Sequence, residues 1–277
     1  MASLFDANAE FATVLTVWFA VHYIVSWGAP HWLAMAVGGH AARGNTALAR
    51  RETGGNAVGF LHALLSTSLV LTAWWHGDFN ELSSDAHAST PRTRALAAWS
   101  TAYFVWDLAA TLRSPVSLFT VHAAMGLAGA LAMGGCGHGG NVGFSGPPFA
   151  HIAMQSLVME ASTPVFVLSS ALVGMSRARS GDGEFYCLPQ TRAVAARAAT
   201  GCRVLFAALF LGVRGLLVPY LAVSTWLPIL RASWALDETR GAVLLACLGC
   251  STLLNVVWSL SIVGALARAL ARVNKND

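Results

Sequence analysis

The chain has 277 residues, 56% of them hydrophobic and 11% charged, with a mean hydropathy of +0.58. Soluble globular domains carry about 25% charged residues, so these values exclude an ordinary soluble fold and point to a polytopic all-α membrane protein. The formal charge of +4 is mostly arginine placed in loops, with Lys275 as the only lysine and no basic run, which argues against a nucleic-acid surface.

Seven apolar segments reach the roughly 20 residues a helix needs to cross a bilayer. They lie at about 10–27, 57–75, 95–112, 116–134, 149–175, 199–224 and 242–267. The first holds His22 and Trp27 and ends at Pro30; the N-terminus before it lacks the basic residues of a secretory signal or transit peptide, so this helix reads as an uncleaved anchor. A connector follows, ending in Arg50 and Arg51. A composition shift near residue 50 divides the chain into 1–50, an N-terminal helix with its connector, and 51–272, the main domain.

The second span carries His62 near its start and finishes at Trp74, Trp75 and His76, aromatics suited to a membrane interface. A polar loop with Asp78, Glu81 and Asp85 precedes the third span, AAWSTAYFVWDLAATL, whose one charge is Asp107. The fourth follows Arg113 and Pro115 and contains His122. The glycine- and proline-rich loop 134–148 lacks apolar periodicity and reads as a mobile connector.

In the fifth span the stretch MQSLVMEASTPVFVL puts a carboxylate and a proline together at membrane depth. A carboxylate exposed to lipid costs a few kcal/mol, so Glu160 is expected to face protein or water. Pro164 removes one helical N–H and crowds the carbonyl one turn back, at Glu160. The carbonyls freed there need partners from Ser162, Thr163 or a neighbouring helix. The sixth span holds Arg214 and Pro219, and the last holds Asn255 and Trp258. Glu160 reads either as the ion-pair partner of Arg214 or as a neutral hydrogen-bonding group. The second is favoured, because an arginine past the midplane is able to snorkel outward.

With the N-terminus outside, eleven loop arginines and lysines fall on the cytoplasmic side (Arg43, Arg50, Arg51, Arg113, Arg177, Arg179, Arg192, Arg197, Arg268, Arg272, Lys275). Four fall outside (Arg92, Arg94, Arg231, Arg240). The bias predicts N-terminus out and C-terminus in. At about 1.5 Å rise per residue, His62, Asp107 and His122 then share the inner half of the bilayer, with Glu160 near the midplane and Arg214 slightly beyond it.

Five cysteines at irregular spacing give no disulfide framework. Cys247 and Cys250 read as small packing residues in a helix. Cys136 and His138 supply too few ligands for a metal site. No cofactor is expected.

LHALLS at 61–66, AYFVWDL at 102–108, His122, MEASTPVF at 159–166, VRGLLVP at 213–219 and LNVVW at 254–258 resemble, in order and spacing, the TLC-domain family of membrane proteins. The resemblance covers about residues 50–270. It implies a barrel-like bundle of six helices, here spans two to seven, preceded by one extra helix, with a pocket mouth on the cytoplasmic side. Ceramide synthases of that family carry paired histidines and an acidic motif. Here His122 is followed by Ala123 and no acidic motif appears, so the stretch is closer to the non-synthase branch, linked with membrane lipid homeostasis.

Three functions follow as expectations. One is lipid binding in an intramembrane pocket lined by His62, Asp107, His122, Glu160, Ser162, Arg214 and Asn255. Another is an accessory subunit of a larger membrane complex. The third is a lipid acyltransferase with His122 as base and Asp107 or Glu160 orienting it. The partners expected are membrane lipids or other membrane-protein subunits, with no nucleic acid. The expected location is an endomembrane, the endoplasmic reticulum first, with an organellar inner membrane as the alternative.

Overall fold

The computed structural model describes residues 2–29, 34, 46–78, 91–112, 118–134, 136–137, 141–142, 152, 155–177, 189–234 and 238–273. Pro30, most of the following connector, Glu81, Asp85, Arg113, Pro115, His138, Arg179, Cys187 and Lys275 lie outside the described residues.

Among the described residues the fold has seven helical rods: α1 (Ala2–Gly28), α2 (Thr46–Trp75), α3 (Pro91–Thr111), α4 (Leu118–Gly134), α5, α6 and α7 (Glu238–Val273). The rod α5 starts as a 3₁₀ turn, Leu157–Ser162, and continues as the α-helix Thr163–Arg177. The rod α6 runs from the α-helix Pro189–Phe210 through a π segment, Leu211–Leu217, and a short turn, Val218–Leu221, to a second π segment, Ala222–Trp226, and the helix Leu227–Ser233. Between α4 and α5, where the sequence suggested an irregular loop, Cys136–Gly137 and Asn141–Val142 pair as a minimal antiparallel hairpin.

Among the described residues, five helices are long and apolar enough to span a membrane, and Phe119–Leu131 is a shorter apolar helix. The remaining rod, α3, begins with Arg92 and Arg94 and carries Asp107. Large apolar side chains cover the outer surface, including Ile24, Trp27, Leu71, Leu216, Tyr220, Val223, Leu253 and Leu260. In water such a surface would be a liability; against acyl chains it is the expected finish. The chain is an integral membrane protein.

Cross-helix contacts show how the rods alternate. Gln155 meets Trp226 and Phe166 meets Phe206, so α5 and α6 run antiparallel; His122 meets Trp258 and the Cys247 thiol meets the Met125 carbonyl, so α4 and α7 do too. The packing closes a ring in the order α2, α3, α4, α7, α6, α5 and back to α2, while α1 lies outside on the α2–α3 seam. This is the six-plus-one arrangement that the resemblance implied.

We call the end where α2 begins and α7 finishes the lower end. The ring's apolar core lies in the upper half: Val70, Ala73, Phe104, Ala130, Leu157, Val158, Val218, Leu221, Trp226, Leu230 and Leu244 pack together. A second core binds α1 to the seam through Val14, Trp18, Val58, Ala102 and Trp106. At that seam a Cβ on Gly54 would collide with Ser26 Oγ and the His22 carbonyl, so glycine is what lets the backbones of α1 and α2 meet. Gly54→Val is therefore expected to lower stability by about 1–3 kcal/mol, read as a fall in thermal midpoint in detergent. An unchanged midpoint would mean that α1 is not docked there.

Three prolines shape two of the rods. Before Pro164 the chain tightens: Thr163 N–H donates to the Glu160 carbonyl in a 3₁₀ bond. In α6 it widens instead. Val218 N–H donates to the Val213 carbonyl, and Leu227 N–H donates to the Ala222 carbonyl, each five residues back and each just before a proline ring, Pro219 or Pro228. A proline clashes with the carbonyl four residues back, and a wider turn relieves that crowding. At its upper end α6 therefore runs past the segment 199–224 that hydropathy delimits, because Pro228 is absorbed inside it.

Candidate functional site

Beneath the apolar core a layer of polar side chains crosses the ring. The 3₁₀ turn of α5 supplies its centre. Because Thr163 N–H bonds to the Glu160 carbonyl, the Met159 carbonyl loses its α-helical partner. Arg214 Nε, from the first π segment of α6, donates to that carbonyl at 3.1 Å, and Ser162 Oγ donates to it at 3.5 Å. A neighbouring helix thus covers the carbonyl that the proline turn exposes, as the sequence required.

Arg214 is buried, 7% exposed, and all its nitrogens are engaged. Beyond the Nε bond, Nη1 donates to Asn255 Oδ1 at 3.5 Å and Nη2 lies 3.7 Å from Glu160 Oε1 as an ion pair. The guanidinium also sits 5.2 Å from the Phe210 ring centroid and 5.8 Å from that of Trp258. The other Glu160 oxygen, Oε2, accepts from Thr163 Oγ1 at 2.8 Å. This corrects the expectation that Arg214 snorkels away and leaves Glu160 neutral. Glu160, Asn255, the Met159 carbonyl and two aromatic faces satisfy the cation inside the bundle, so nothing draws it to the interface.

Asn255 completes the centre, donating through Nδ2 to Met159 Sδ at 3.5 Å, and Ser251 Oγ donates to the same sulfur at 3.8 Å. Met159 thereby joins α5, α6 and α7 through one carbonyl and one thioether. No sequence signal marks it, since a methionine in an apolar span reads as filler.

His62, Asp107 and His122 lie on the other helices of the ring, α2, α3 and α4. His62 is 1% exposed. Its ring stacks on Tyr103 at 3.7 Å and 2°, its Nε2 lies 3.4 Å from Ser100 Oγ, and its Nδ1 is buried without a hydrogen-bond partner among the described residues. Tyr103 and Ser100 were not singled out in the sequence; Tyr103 stands one turn before Asp107, hence on the same face of α3. His122 is half-buried and packs edge-on against Trp258 at 6.0 Å. Asp107 is half-buried as well.

Of the seven residues read from the sequence, Glu160, Ser162, Arg214 and Asn255 gather around the Met159 backbone and side chain, His122 shares the Trp258 ring with the Arg214 guanidinium, His62 packs on Tyr103 and Ser100, and Asp107 lies one turn beyond Tyr103 on α3. Among the described residues, His122 makes no hydrogen bond to Asp107 or Glu160. Among the described residues no group of three or more His, Cys, Asp or Glu is arranged to hold a metal ion.

The sequence profile of the TLC domain matches residues 54–264. No curated protein and no solved structure matches the chain. The profile spans more than half of the 277 residues, from the third turn of α2 into the last turns of α7, and on that match the chain belongs to the TLC-domain family.

Proposed function

We propose that the protein binds or handles a membrane lipid, holding the headgroup against the polar layer, as part of membrane lipid homeostasis. The observation that carries this reading is unused polar capacity. Asp107 and His122 are half-buried and make no side-chain hydrogen bond among the described residues, and His62 Nδ1 is unpartnered among them as well. Unsatisfied polar groups at membrane depth are expensive, and they mark ligand or ion paths. The lower half of α7 adds support, since no described residue from Val256 to Arg268 is buried, which leaves that side of the ring open to an acyl chain.

In this reading the lower end faces the cytoplasm and the C-terminus lies inside, following the loop charges. The membrane is the endoplasmic reticulum, and the chain belongs to the non-synthase branch of its family. A second reading, an accessory subunit of a larger complex, draws on the internal pairing of Glu160, Arg214 and Asn255.

Lipid copurifying with the detergent-solubilised protein separates the two. The wild type is expected to retain a defined lipid, and Asp107→Asn with His122→Ala to retain about tenfold less, with little change in thermal midpoint because neither side chain bonds to the protein. Equal retention in the variant, or none in the wild type, would overturn the lipid reading in favour of the subunit.

A further inference from the structure

We propose that the headgroup this layer accepts is uncharged and hydroxyl-bearing, as in a diacylglycerol or a long-chain alcohol, and that phosphate and carboxylate headgroups are excluded; the inference rests on the lipid-handling reading above. Among the described residues Arg214 is the only buried arginine or lysine. Its three nitrogens are committed to the Met159 carbonyl, to Asn255 and to Glu160. An anionic headgroup would have to displace the Glu160 carboxylate or settle beside it. At low effective dielectric, like charges a few ångströms apart repel strongly.

A cationic headgroup would in turn leave its hydration to enter a layer whose ionised carboxylate is already paired, at a high desolvation cost. The groups left over are neutral-type hydrogen bonders. His122 is half-buried beside Trp258, Asp107 is half-buried, and His62 Nδ1 is unpartnered. An imidazole nitrogen donates or accepts according to tautomer, and a hydroxyl does both, so a hydroxyl headgroup meets these groups without carrying charge into the bundle.

The test compares three probes of matched chain length, dioleoylglycerol, dioleoylphosphatidic acid and oleylamine, added to the full-length protein in mild detergent and read by native mass spectrometry. Dioleoylglycerol is expected to be retained at least about tenfold better than either charged probe. Better or equal retention of phosphatidic acid or of oleylamine would overturn the headgroup assignment while leaving lipid handling intact. Retention of none would overturn lipid handling, and this inference with it. A switch experiment adds a second arm: Glu160→Gln frees the guanidinium, and phosphatidic acid should then gain at least about tenfold over dioleoylglycerol. If that variant does not fold, Asp107→Lys places an unpaired cation beside the layer and should move the preference the same way. An unchanged preference in the folded variant would overturn the charge argument.

Discussion

Glu160→Gln is expected to destabilise the protein by about 3–5 kcal/mol, the usual consequence of removing one member of a buried pair and stranding the other. The glutamine keeps the shape and the Thr163 hydrogen bond but removes the charge that lies 3.7 Å from Arg214 Nη2. Asn255 and the Met159 carbonyl remain on the guanidinium, but they are dipoles and do not neutralise a cation. The control is Glu160→Gln with Arg214→Met, which removes both charges and leaves a side chain of similar length. Replacing a whole buried pair by apolar groups is often neutral, so the double variant is expected to recover most of the loss. The measurement is the thermal midpoint of both variants in one detergent. If the single and double variants lose equal stability, the ion pair is not what holds α5 against α6.

Trp226→Ala is expected to cost about 3–5 kcal/mol, in the range of large-to-small core substitutions. Trp226 is 1% exposed within the upper core, and its Nε1 donates to Gln155 Oε1 at 2.8 Å. Truncation opens a void where the second π segment of α6 faces the start of α5, and it leaves the Gln155 amide oxygen unpaired. Trp226→Phe separates the two effects. It keeps most of the packing and loses only the hydrogen bond, for about 1–3 kcal/mol. Thermal midpoints of the two variants check this. Similar losses for Phe and Ala would make the hydrogen bond, not the volume, the dominant contribution.

The sequence alone determined a good part of this. Low charge and long apolar runs fix an all-α membrane protein, because helices and closed barrels are the structures that satisfy their backbone in lipid, and runs of about 20 residues suit helices. The pairing of Glu160 with Pro164 located the bundle's polar centre, since a carboxylate and an unsatisfied carbonyl both need protein partners at that depth. His62, Asp107, His122, Arg214 and Asn255 stood out for the same reason: polar groups are rare in such helices, so each one is conspicuous.

The tertiary structure decided which of these groups bond to one another. Hydropathy places a residue along the membrane normal to within a turn or so, but it says little about azimuth. Whether Arg214 points to Glu160 or snorkels outward depends on the rotation of α6, which is set by the wide turns before Pro219 and Pro228 and by the Phe210 and Trp258 faces around the guanidinium. The same holds for Met159, whose carbonyl and thioether join three helices, and for Tyr103, which stacks on His62 only because α3 lies antiparallel to α2 at that register. Composition and period fix how many helices there are and how deep each residue sits. Rotation and register, which determine what meets across the bundle, emerge only when the six helices close into a ring.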